Sequence, residues 1–183
     1  MDKLQVVKEE VAKCRRCTYL SKPFIEFKVY EMYRGKDVKV LVVSESPPPG
    51  KKSDFLYNLG HRDRLRRTLS RFFGVDEKEL ISRLVERGVL WDMAARCRPP
   101  SRRDVAFMAR NCLRITAIEI EVLKPKRIVA LGSVARAQVR EALRICSYAP
   151  QEILEDHHPL YVVRFRRSEA SEYFGRLKEA LGV

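Results

Sequence analysis

No apolar run in the 183-residue chain approaches the ~20 residues that cross a bilayer, and residues 1–20 are too charged for a secretory leader. These absences predict a cytoplasmic protein with no membrane partner. Internal repeats, low-complexity tracts and Pro/Gly-rich linkers are missing as well, so we expect a single domain over residues 1–183. Asn and Gln are scarce beside Arg, Lys and Glu, a balance that suits a thermophile. Acidic residues are outnumbered. Thirty-seven Lys and Arg against 24 Asp and Glu leave a formal charge of +13. Such an excess attracts polyanions, because neutralising phosphates releases their condensed counterions. The alternative is a heavily charged surface with no partner, but the clustering of arginines favours nucleic acid.

What is present begins with a 45% apolar content, which excludes a disordered chain. The runs at 38–43 ("VKVLVV") and 127–132 ("RIVALG") are too continuously apolar for strands with one wet face. They suit a parallel sheet covered on both sides. Further strands are expected at 88–93 and within 161–165 ("YVVRF"). Helical periodicity predicts helices over 2–13, 62–73 and 102–123. Ser133 is placed to cap a helix over 134–144, and Ser168 to start a last helix ending near 181. Strands alternating with helices predict a three-layer α/β/α domain around a mostly parallel four-stranded sheet.

In such sheets ligands gather beyond the carboxyl ends of the strands. "SESPPPG" at 44–50 follows the first strand directly, and its three prolines would hold Glu45 and Ser46 in place at little entropic cost. A merely stiff loop is the alternative. Of five cysteines, Cys14 and Cys17 form a C-x2-C, while Cys97 precedes "RPP" and Cys112 lies in the following helix. In a reducing compartment such thiols point to metal or catalysis before disulfides. Four thiolates suit tetrahedral zinc or an iron–sulfur cluster, and spacing alone does not choose. Cys112 also fits a small buried hydrophobe, and "CRRC" a redox pair, although nothing thioredoxin-like surrounds it. Cys146 stands alone as a structural thiol. The arginines at 62–71, and Arg96, Arg98, Arg102 and Arg103, are either solvated faces or phosphate contacts; His61 reads as a surface or capping residue.

Together, "CRRC", "RCRPP" at 96–100, Cys112, "LKPKRIVALGSVAR" at 123–136 and "HHPLY" at 157–161 resemble the uracil-DNA glycosylase superfamily. The likeness is to its family 4 iron–sulfur type, and it extends over most of the chain. The resemblance implies a monomeric enzyme that binds DNA and hydrolyses the N-glycosidic bond of a damaged base. It assigns Cys14, Cys17, Cys97 and Cys112 to a [4Fe–4S] cluster in preference to zinc. Glu45 and Ser46 match the family's first motif, and His158 its second, which gives the catalytic candidates. Phe55, five residues before Gly60, matches the ring that stacks on the extruded base. Leu160 and Tyr161 become candidates for the wedge that fills the vacated stack, and Arg98, Arg102 and Arg103 for phosphate contacts. Three positions depart from the family pattern. Met93 stands where an asparagine usually reads the base, Leu160 where a serine is usual, and Ser46 where an alanine is usual. Two rival readings follow: a glycosylase for a base other than uracil, and a non-catalytic iron–sulfur DNA-binding protein on the same scaffold.

Overall fold

The computed structural model describes residues 3–17, 21–51 and 53–183. Four five-residue strands, β1 (Val40–Ser44), β2 (Val89–Met93), β3 (Arg127–Leu131) and β4 (Glu152–Asp156), form one sheet in the order β2-β1-β3-β4. Every pairing is parallel. β1 and β2 are buried at every position, as their unbroken apolar runs require when helices cover both faces. Among the helices, α1 (Lys3–Lys13), α6 (Val105–Leu123) and α7 (Ser133–Ile145) pack together. A second group is formed by α4 (Arg64–Phe73), α5 (Glu77–Arg87), α8 (Pro159–Phe165) and α9 (Ala170–Leu181). The short α2 (Pro23–Glu26) and α3 (Val29–Met32) precede β1. The result is the three-layer α/β/α arrangement expected from the alternation of strands and helices.

Four features differ from the sequence reading. "YVVRF" is not a strand: it lies in α8, where Pro159 fills the first helical turn and His158 is the N-cap. Proline has no N–H to lose at that position and its φ already suits a helix, so the local chemistry overrides the β-branched run. The fourth strand is instead the charged segment Glu152–Asp156, which pairs on one side with β3 and is largely solvent-exposed. An edge strand needs no apolar periodicity, and its acidic side chains discourage further pairing. Residues 77–87, given no element from the sequence, form α5 between an Asp76 cap that accepts from Glu79 N and a left-handed Gly88. Ser133 is the first residue of α7 rather than its cap; Gly132 holds the cap position, at φ 99°.

The topology fixes where a site can form. From β1 the chain moves to β2 on one side, then crosses back to β3 on the other. Loops leaving β1 and β3 therefore diverge and open a crevice at their carboxyl ends. Register brings Ser44 opposite Met93 and Leu131 opposite Asp156, so the loops carrying Glu45, Gly132 and His158 start at one level.

Candidate active site

At that crevice lie two pockets of about 460 and 250 Å³, which share Glu45, Arg64, Arg102, His158 and Leu160 as walls. The smaller one is completed by Ser46, Met93, Asp63 and the three prolines of the first loop. The larger opens towards Arg136, Tyr161, Arg164 and Phe165.

The proline loop is tied down from below. Arg98, only 5% exposed, donates from Nη1 to the carbonyls of Pro48 at 2.8 Å and Asp54 at 3.0 Å. Gly50 N donates to Pro99 O at 2.9 Å, and Ala95 N to Glu45 O at 3.0 Å. "SESPPPG" is thus a rigid bracket, held by hydrogen bonds from "RCRPP", that sets Glu45 at the cleft. The Glu45 carboxylate is partly exposed and pairs with Arg102 at 3.5 Å. Ser46 Oγ donates to Pro47 O at 3.0 Å, which ties its hydroxyl to the loop.

His158 owes its state to its place at the start of α8. Leu160 N–H donates to its Nδ1 at 3.2 Å, so that nitrogen carries no proton. Burial, and secondarily the charge of Arg102, lower its pKa to about 4. The ring is therefore neutral near pH 7, with its one proton on Nε2. Gly132 lies against His158, and the φ of 99° at that position is one that favours glycine.

Other sequence candidates are placed differently. Phe55 is a correction. It is fully buried, with ring centroids 5.1 Å from Phe24 and 5.6 Å from Phe27, and it lines neither pocket. Its apolar surface is consumed by the core. Arg98 is a second correction, since its guanidinium is spent on loop carbonyls rather than offered to phosphate. Arg96, grouped with it, is 1% exposed and pairs with Asp92 at 2.7 Å and Glu119 at 2.6 Å, both fully buried. Burial and the neighbouring Asp92 charge push the Glu119 carboxyl well above the usual carboxylate range. Arg66 is likewise buried and donates to the carbonyls of Phe55, Leu56, Asn58 and His61, which shapes the loop before α4. Arg102 and Arg103 are exposed, and of these two only Arg102 lines the cleft. Met93 is 2% exposed and supplies an apolar wall. Leu160 is half-buried at the junction of the pockets, and Tyr161 is exposed at the rim. Arg136, Arg164 and Phe165 also line the cleft and were not singled out from the sequence. Spacing on α8 from His158 could have found the last two.

The four candidate cysteines come to one corner. Cys17 packs against buried Cys97 beside Val105 and Met108, and Asn111 Nδ2 donates to Cys17 Sγ at 3.5 Å. Burial, then the neighbouring Cys112, Cys17 and Cys14, push the Cys97 thiol up to about 12. Burial also raises Cys112. Lys22 Nζ fastens the segment by donating to the carbonyls of Val11, Ala12 and Cys14. Among the described residues, no three such side chains stand close enough to hold a metal ion. The donor set nevertheless fits a soft metal. Four thiols on a basic corner, two of them buried, match the ligands that iron–sulfur clusters and structural zinc take as thiolates.

Residues 32–182 match the family model of the uracil DNA glycosylase superfamily. The chain belongs to that superfamily, whose members act on DNA. No curated protein matches the chain. The matched span includes Glu45, Cys97, Cys112 and His158 and leaves out Cys14 and Cys17. No helix of the described residues is long and apolar enough to cross a membrane.

Proposed function

We propose that the protein is a DNA glycosylase that hydrolyses the N-glycosidic bond of a base extruded into the crevice between β1 and β3, uracil or another deaminated base. One observation carries the reading: His158 is held neutral, with Nδ1 occupied by the Leu160 N–H, in a cleft shared with Glu45. Breaking the bond leaves the electron pair on the departing base and positive charge on the sugar. The Nε2–H of His158 is the donor for the base oxygen that becomes anionic, as a preorganised donor serves an oxyanion. The Glu45 carboxylate faces the cationic side and orients the attacking water. Water oxygen bonds to the sugar carbon, and its proton passes to the carboxylate or to solvent. The arginines that line the cleft, Arg64, Arg102, Arg136 and Arg164, supply the phosphate contacts.

Cys14, Cys17, Cys97 and Cys112 would hold a [4Fe–4S] cluster, which fastens the segment after α1 to α6 and takes no part in bond breaking. Met93 offers no hydrogen bond to a base edge, so discrimination falls to the acidic side chains left in the smaller pocket, Asp54 and Asp63. A DNA-binding protein without catalysis is the second reading, favoured by that same Met93. A release assay on oligonucleotides carrying uracil, hypoxanthine or xanthine, run with wild type and Met93→Asn, tests both. Release of any base by either protein supports the enzyme; none from single or double strands leaves only the binder.

A further inference from the structure

Helix α8 leaves two large rings in solvent beside the cleft, with Tyr161 45% and Phe165 62% exposed. They form a ladder. His157 and Tyr161 stack with centroids 5.1 Å apart at 27°, and Tyr161 and Phe165 follow at 5.1 Å and 44°. The Arg164 guanidinium lies 4.9 Å from the Phe165 ring centre. The inner end is pinned where Arg166 Nη1 donates to His157 Nε2 at 2.6 Å. Spacing of four residues puts Tyr161 and Phe165 on one face of α8, and both line the larger pocket with Arg102 and Arg136.

A wedge that parts a duplex projects alone into the stack. Tyr161 does not: its ring already lies against His157, and the ladder runs outward along the rim. What remains available is flat aromatic surface between guanidinium groups. Unpaired bases fit such a surface, because every base has a face to stack and its phosphate can reach an arginine. An intact duplex keeps its base faces against one another and offers none to a shelf outside the cleft.

We propose that Tyr161 and Phe165 form a stacking shelf for the unpaired bases next to the extruded nucleotide, which makes single-stranded DNA the preferred substrate. The inference rests on the nucleic-acid reading of the cleft and needs no particular base chemistry.

Fluorescence anisotropy tests it with three labelled probes of equal length: an oligothymidylate, its duplex with oligodeoxyadenylate, and a strand whose nucleotides are mostly abasic. Wild type should bind the thymidylate strand most tightly. Phe165→Ala should weaken that binding about tenfold, as loss of one base stack does, and change the other two by less than about twofold. Phe165→Trp should restore it, and the salt slope should not move, because no phosphate contact is lost. Phe165 is so exposed that its removal leaves packing intact, which equal melting temperatures would verify. Preference for the duplex, no loss in Phe165→Ala, or an equal loss on the abasic strand would overturn the shelf alone. Absence of salt-sensitive binding to all three probes would overturn the proposed function with it.

Discussion

Acidification from pH 8 to pH 5.5 should leave the rate of base release nearly flat, because His158 stays neutral through that range. With a pKa of about 4, the ring is about 97% neutral at pH 5.5; at an ordinary His value only about 9% would be, a tenfold difference in active protein. The same shift has a consequence for folding. The native ring binds its proton only near pH 4, while the unfolded chain binds one near 6.5. Stability from this group is thus fully present above 6.5 and is lost as the pH falls to about 4, by about 3 kcal/mol at most. His158→Gln, which cannot titrate, should lack that part of the acid loss, and His158→Ala should cut base release by on the order of 10²–10³-fold with DNA binding nearly intact. Single-turnover release across pH, together with NMR titration of the histidine ring, supplies the measurement. A ring that titrates near 6.5, or a rate that halves there, would refute the argument that burial and Arg102 hold His158 neutral.

Arg98→Ala should destabilise the protein by about 2–4 kcal/mol in denaturant unfolding, since two loop carbonyls lose a charged donor, and it should leave the salt slope of DNA binding unchanged. Arg102→Ala should do the reverse, lowering the slope by about 1 with little effect on stability. Protein purified without air should be brown with about four irons and sulfides, and Cys97→Ala should bleach it while Cys146→Ala does not; one zinc and no sulfide would count against the cluster. Gly88→Ala should cost about 2 kcal/mol or more in thermal unfolding, because a Cβ at φ 70° would collide with the Asp37 carbonyl oxygen at the entry to β2.

Patterns that depend on near neighbours in the chain were legible without coordinates. The runs at 38–43 and 127–132 announced a buried parallel sheet, because a strand covered on both faces cannot alternate. The loop after β1 could be placed at the carboxyl edge of the sheet because it directly follows an apolar run, whereas the motif at His158, expected to precede a strand at 161–165, reaches that edge only because the strand is Glu152–Asp156. The charge excess pointed to a polyanion for an equally direct reason: it is a sum over residues and needs no geometry. Tertiary structure alone decided which charges are available. Arg96, Arg98, Arg102 and Arg103 lie within eight positions, yet two are buried among carbonyls and carboxylates and two face solvent. Burial is set by what distant segments bring to a side chain, here the loop at 48–54 and helix α6, and no local pattern encodes it. Phe55 shows the same limit, since a ring at a motif's spacing was drawn into the core by Phe24 and Phe27 from the segment around α2. The protonation state of His158 was also decided in three dimensions. Its pKa depends on burial and on Arg102, 56 positions away in the chain, whereas the motif that named it records only that a histidine precedes a proline.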